Sequence, residues 1–394
     1  MSAPLFDQWR SRSPHYDETH EAVCDSVRSF VTREIMPYVE EWETAGELPR
    51  DLHKKAADAG IIGVGYPTHL GGSGTIEEGG FDIFHSLVQS EEMCRPGAGG
   101  IPASLLTHGI GLPPIIAMGS DELQQQIAPD VLNGEKIICL GITEPGGGSD
   151  VANLKTRAEL RGDHYVVNGA KTLITSGMRA DYITLAVRTG GEGMGGVSLL
   201  LVETDRPGIS RTALDKMGWR SSDTATIHFD NVEVPKRNLI GPENQGFGGI
   251  MRNFNGERLG MAQQAAAYSR VCYEDALGWA RERETFGRPL VTRQAIRHKL
   301  ARMLQMIGAT QAMIDQAAWT VKNDCAFPGD FALLKVQATQ TLEYCAREAC
   351  QILGGASFVR GSRVERIYRE VRVMAIGGGS EEIMYDLASR QFNF

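Results

Sequence analysis

The feature that most constrains the fold is a change of hydrophobic period partway along the chain, followed by a change back. From about Lys136 to Gly241 apolar residues come in short or alternating runs: Ile137-Ile138-Cys139-Leu140, Tyr165-Val166-Val167, Tyr182-Ile183-Thr184-Leu185-Ala186-Val187 and Val197-Ser198-Leu199-Leu200-Leu201-Val202. Period two and short apolar runs are the marks of strands. Turn residues separate the runs, as at Arg161-Gly162-Asp163 and Asn168-Gly169. Strands so closely spaced, with no helix between them, predict an antiparallel barrel or sandwich and exclude a βαβ sheet. On both sides the pattern is helical. Leu300, Ile307, Ile314 and Val321 recur every seven residues, with Met303, Leu304 and Ala318 filling the same stripe, which is the seam of a bundle. A further helix is expected over 331–353, stopped by Gly354-Gly355. Before the strands, Asp17 is placed to cap a helix through Val27 and Phe30, with Pro37 near its end. Helices are also expected over 52–59, closed by Gly60, and around 86–93, with a loop at 66–74. A chain of 394 residues is too long for one ordinary core. The expected organisation is a helical domain over 1–136, a β-domain over 137–245 and a helical domain over 246–394.

Composition narrows the class. Hydrophobic content of 42% with 23% charge is globular. No apolar run approaches the ~18–20 residues of a membrane span, and the first residues carry no basic-then-apolar signal pattern, so a cytoplasmic location is expected. A net charge of -9 argues against nucleic-acid binding, which wants a basic face. The seven cysteines are scattered and contain no C-x-x-C, which fits reduced, buried thiols and no metal site.

Several strings carry chemistry. Gly191, Gly193 and Gly196 spell G-x-G-x-x-G, but a strand follows where a helix N-terminus is required, so the string reads as a loop. Gly141-Ile142-Thr143-Glu144-Pro145-Gly146-Gly147-Gly148-Ser149-Asp150 is a strand running into a glycine-rich loop, open to a flat ligand or simply a turn. Lys171-Thr172-Leu173-Ile174-Thr175-Ser176-Gly177 reads as a barrel strand. Arg281-Glu282-Arg283-Glu284-Thr285-Phe286-Gly287-Arg288-Pro289-Leu290 ends a long helix with basic residues, as the helix dipole favours. Asn255-Gly256-Glu257-Arg258-Leu259 and Ile376-Gly377-Gly378-Gly379-Ser380-Glu381-Glu382-Ile383 each sit where a loop meets a helix. Read locally, Glu257 is a first-turn dipole partner.

Taken together, these strings resemble the signatures of the acyl-CoA dehydrogenase flavoenzymes, and the resemblance covers essentially the whole chain. It implies an N-terminal helical domain, a central antiparallel β-barrel and a C-terminal four-helix bundle. It also implies FAD as cofactor, with α,β-dehydrogenation of an acyl-CoA thioester to the trans-2-enoyl-CoA. Electrons would leave to an electron-transferring flavoprotein, and the assembly would be an obligate oligomer, a homotetramer built as a dimer of dimers. By the same resemblance, Gly141, Ile142, Thr143, Ser149, Leu173, Ile174 and Thr175 contact the flavin. Arg283, Phe286 and Gln294 bind the FAD pyrophosphate region across a subunit contact, received by Gln351, Gly354 and Gly355, while Ser380 and Glu382 take further flavin contacts. Ser149, Asn255 and Arg258 are expected near the acyl-CoA. Many relatives carry the catalytic glutamate at the place of Gly378, which has no side chain. Glu257 stands where the isovaleryl and long-chain branches keep theirs, 29 residues before Phe286. The resemblance therefore makes Glu257 the base and leaves Gly378 a backbone role, with medium-to-long or β-methyl-branched substrates, including citronellyl types. An acyl-CoA oxidase is a rival within enzymes, and a flavin-free scaffold is a rival outside them.

Overall fold

The computed structural model describes residues 4–394, leaving aside the side chains of Arg252, Asn253 and Asn255. The chain divides into two compact units, each made of separated segments. One holds 42–80 and 100–256, and the other holds the remainder, 1–41, 81–99 and 257–394. The N-terminal helices are thus shared between them.

The first unit is built on a sheet of β1 (Ile138–Gly141), β2 (Arg157–Arg161), β3 (His164–Ile174), β4 (Tyr182–Arg188), β5 (Val197–Glu203), β6 (Ile209–Ala213), β7 (Ala225–Pro235) and β8 (Leu239–Ile240). The strand order is β6-β7-β3-β2-β4-β5-β8, with β1 paired to β4. The expected closed antiparallel barrel is corrected here: the path has two ends, at β6 and β8, and the sheet is not closed. Nor is it wholly antiparallel, because β1 and β2 both pair with β4 in parallel. Alternation along a strand reports which residues are buried but says nothing of which strand lies beside which, so neither point is legible in the period. Ile183, Leu185, Val187, Leu200, Val202, Ile227 and Val232 meet in one apolar core. The 191–196 glycines form a loop with a short 3-10 turn between β4 and β5, where Arg188 Nη1 donates to the carbonyls of Gly191 and Gly193.

The second unit is helical. Asp17 caps the helix Glu18–Phe30, accepting from Thr19 N–H and His20 N–H while the His20 ring accepts from Asp17 N–H. Asp82 and His85 repeat the arrangement at Ile83–Met93. After Gly246 the described helices are Gly246–Glu282, whose first residues up to 256 belong to the sheet unit, then Gln294–Lys322, Pro328–Leu353, Arg363–Ile376 and Glu381–Gln391. The heptad stripe buries Leu300, Met303, Ile307, Ile314 and Ala318, but Val321 is exposed near the helix end. Met384 and Ala388 of the last helix pack on Ala332 and Val336. All seven cysteines are free, and among the described residues no helix is long and apolar enough to cross a membrane.

Candidate active site

In the sheet unit, the Gly141–Asp150 loop is fastened to β3. Lys171, whose side chain has no exposure, donates to the Ile142 carbonyl at 2.9 Å and to Glu144 Oε1 at 2.9 Å. Glu144 also accepts from the backbone N–H groups of Lys155 at 2.6 Å and Thr156 at 2.8 Å. Burial pushes the Lys171 amine down to about 8 against the pull of Glu144. Burial also tends to raise the Glu144 carboxyl, but Lys171 and Thr156 outweigh it and hold the group below its ordinary value. Thr172 N–H donates to the Thr143 carbonyl at 2.8 Å, which lays Ile142 and Thr143 beside Thr172–Ile174. The pairing of β3 with β7 slips between Lys171 and Ile174. Within that slip Leu173 takes φ 59°, a left-handed conformation costly for a branched side chain, and stays 63% exposed. Ser176 follows at φ 58°. Gly141 has a different reason for being glycine from the one the sequence suggested: a Cβ there would come within 3.0 Å of Leu185 Cδ1, inside the core. Gly146 and Gly147 face open space, Thr175 is half-buried and Ser149 is exposed.

The helical unit holds the other candidates. After Gly246–Glu282, a two-strand hairpin pairs Glu284-Thr285 with Arg288-Pro289. Its two turn residues, Phe286 and Gly287, take φ 50° and 71°, the sign a tight type I′ hairpin demands of both. The Phe286 ring is 98% exposed, with the Arg293 guanidinium 5.7 Å from its centroid. Arg283 and Gln294 are exposed at the two ends of this corner, as are Gln351, Gly354 and Gly355 at the end of Pro328–Leu353.

Glu257 is half-buried in Gly246–Glu282, and burial lifts its carboxyl to about 7 against the opposing charge of Arg258. Its place is well inside the helix, not in the first turn where the dipole reading would put it. One turn further on, Met261 shares that face and abuts the Gly377–Gly379 turn. A Cβ on Gly378 would lie 2.7 Å from Met261 Sδ, and Gly378 has φ +65°. Arg258 Nε reaches the Gly378 carbonyl at 3.5 Å. The neighbouring carboxylates are otherwise engaged. Glu381 accepts from Thr339 and Gln340, while Glu382 is exposed and held below its ordinary value by its own backbone N–H and the Ser380 hydroxyl. Ser380 caps the last helix at Ile383 N–H. The Asn255 side chain lies outside the described residues. Two contributors escaped sequence reasoning: Lys171, and Lys335, whose buried ammonium donates to the carbonyls of Ala375 at 2.9 Å and Gly379 at 2.7 Å.

In the sheet unit, the glycine-rich loop tied to β3 next to Leu173 fits a planar ligand. Leu173 and Phe286 are apolar side chains exposed by strained, rigid backbone, which costs free energy unless a partner covers them.

The fold and these strings are those of the acyl-CoA dehydrogenases. Models of that family's N-terminal, middle and C-terminal domains match residues 17–135, 139–232 and 244–392. "Acyl-CoA dehydrogenase AFT10-1" of Alternaria alternata is 38% identical over 96% of this chain and 93% of its own length. The long-chain specific mitochondrial acyl-CoA dehydrogenase of Rattus norvegicus is 32% identical over 95% of this chain and 87% of its own. The crystal structure of a probable acyl-CoA dehydrogenase from Mycobacterium abscessus superposes with a TM-score of 0.93 at 46% identity, covering 96% of this chain and 100% of that one. The chain belongs to the acyl-CoA dehydrogenase family. It is an FAD-dependent oxidoreductase that acts on acyl-CoA thioesters.

Proposed function

We propose that Glu257 is the base that removes the α-proton of the acyl-CoA, and that Gly378 serves through its backbone N–H alone. The observation that carries this is the state of Glu257. A half-buried carboxyl lifted to about 7 is basic enough to take a proton near neutral pH, as a general base must be. The vacated side-chain position at Gly378, occupied on the helical side by Met261, supports the same assignment.

An α-hydrogen beside a thioester is too weakly acidic for a carboxylate in water. The Gly378 N–H therefore donates to the thioester oxygen as negative charge gathers there, while Glu257 takes the proton from the α-carbon. Bound FAD would accept the β-hydrogen with its electron pair. Ile142, Thr143, Leu173, Ile174 and Thr175, with Gly141 behind them, would hold the ring system. Ser380 and Glu382 would make further contacts, and Ser149, Asn255 and Arg258 would lie along the acyl-CoA. Arg283, Phe286 and Gln294 would bind the pyrophosphate end at a subunit contact with Gln351, Gly354 and Gly355 of a second copy, in a homotetramer. Arg suits that role because its planar fork donates two bonds to phosphate. The domains of this reading are 1–136, 137–245 and 246–394, acting in the cytoplasm with an electron-transferring flavoprotein as acceptor. The substrate is a medium-to-long or β-methyl-branched acyl-CoA, a reading supported by the placement of the base and by the resemblance to the long-chain specific rat enzyme.

The test is anaerobic bleaching of the flavin across a panel of acyl-CoAs, in wild type and Glu257→Gln. Wild type should bleach with the longer or branched members, whereas Glu257→Gln should keep its FAD and reduce it roughly 10²–10⁴-fold more slowly. Near-wild-type reduction in Glu257→Gln would return the residue to a merely structural charge.

A further inference from the structure

The Gly377-Gly378-Gly379 turn poses a problem that the proposed mechanism leaves open. A backbone donor in an oxyanion site is useful only if its direction is fixed before the reaction. Three successive glycines are the least stiff backbone available, and two of these, Gly378 and Gly379, sit at φ +65° and +107°. The stiffness has to come from outside the turn.

Lys335 supplies it. Its side chain is fully buried near the start of Pro328–Leu353, on the helix that packs Ala332 and Val336 against Met384 and Ala388. Its two hydrogen bonds go to carbonyls on either side of Gly378. Ala375 lies in the last turn of Arg363–Ile376, where carbonyls lack a partner within the helix, and Gly379 directly precedes the cap of the next helix. Burying an ammonium without a hydrogen-bonded carboxylate is expensive, and a methionine would fill the space without that cost. The charge therefore has work to do at this turn. Burial lowers the amine to about 8, with Glu381 and Glu382 opposing the fall and Arg258 adding to it.

We propose that Lys335 is the positioning residue of the oxyanion contact: by holding both ends of the turn it fixes the direction of the Gly378 N–H and adds positive charge where the enolate oxygen forms. This rests on the reading of Gly378 given above.

The test is the carbonyl stretch of a trans-2-enoyl-CoA labelled with ¹³C at the thioester carbon and bound to the FAD-loaded enzyme, alongside the rate of anaerobic flavin reduction. In wild type the band should move to lower frequency than in free thioester. In Lys335→Met it should return most of the way, with FAD content and acyl-CoA affinity little changed and reduction slowed by roughly 10- to 100-fold, less than for outright loss of a donor. If Lys335→Met does not fold, Lys335→Gln, which keeps a donor without the charge, should give an intermediate band and rate. A shifted wild-type band that survives intact in the variant, with near-normal reduction, overturns the role of Lys335 alone. A wild-type band at the free position removes the Gly378 contact itself, and the positioning role with it.

Discussion

Two lysines with no exposed side-chain surface do similar jobs in the two units and differ in one respect. Lys171 and Lys335 each reach a loop carbonyl from regular structure, and burial lowers each to about 8. Lys171 also holds Glu144 at 2.9 Å, so its charge is cancelled where it is buried. Among the described residues Lys335 hydrogen-bonds carbonyls and no carboxylate, so its positive charge stands beside the turn, with Glu381 and Glu382 acting on it only through space. The first arrangement is a staple that shapes a binding loop. The second suits a place where negative charge must appear and vanish in each turnover.

The comparison can be broken in several ways. Lys171→Met leaves Glu144 buried without its cation and should cost ~3–5 kcal/mol, read as a fall in melting temperature and loss of FAD. Adding Glu144→Gln should recover part of it. If the double variant is no more stable than the single one, the pair is not the staple described. The second break concerns where cofactor affinity resides. Were it confined to the sheet unit, Arg283→Ala would be silent. A charge-assisted phosphate contact is worth ~1.5–3 kcal/mol, so this variant should lose FAD and weaken assembly, and full flavin occupancy with unchanged assembly would exclude the assignment.

Smaller effects sharpen the picture. With Glu257 near 7, kcat/KM should fall tenfold per pH unit below about 7, a limb absent from the residual activity of Glu257→Gln. Stability takes the opposite sign. The folded value lies above the ordinary 4.5, so folding takes up a proton between the two. The contribution of this group is full below 4.5 and is lost as pH rises through about 7. Denaturant titrations of wild type and Glu257→Gln should diverge across that window. Last, moving the base by Glu257→Gly with Gly378→Glu should restore little activity, because the new side chain meets Met261 Sδ at 2.7 Å on a left-handed backbone. Shortening Met261 to Ala should raise the rescue, and equal rescue without it would show that the turn yields freely.

The local elements were legible where the signal is local. Asp17 and the short apolar runs of β4 and β5, buried almost end to end, are short-range facts, and the heptad stripe holds until Val321 reaches solvent. The openness of the sheet was not legible, since it depends on which distant strands pair, and a two-residue β8 leaves almost no trace in composition. Glu257 and Gly378 were read from strings. Lys171 and Lys335 were not, because nothing near a lysine says that it will be buried, and Lys335 meets its carbonyls 40 and 44 residues away. The I′ turn at Phe286-Gly287 was also hidden, because an aromatic at positive φ runs against ordinary turn preference.

The division of the chain into interleaved segments has a consequence for synthesis. Residues 1–41 and 81–99 belong to the unit completed only by 257–394. A nascent chain therefore presents Glu18–Phe30 and Ile83–Met93, which pack on each other, well before Gln294–Lys322, which Ile83–Met93 also packs against, leaves the ribosome. Such long sequence separations slow folding and lengthen the exposure of sticky surface. Heterologous yield should accordingly respond to chaperone supply and slower translation, and cutting at 136 and 245 would keep the β-core together, since its residues lie within that block, while dividing the segments of the helical unit.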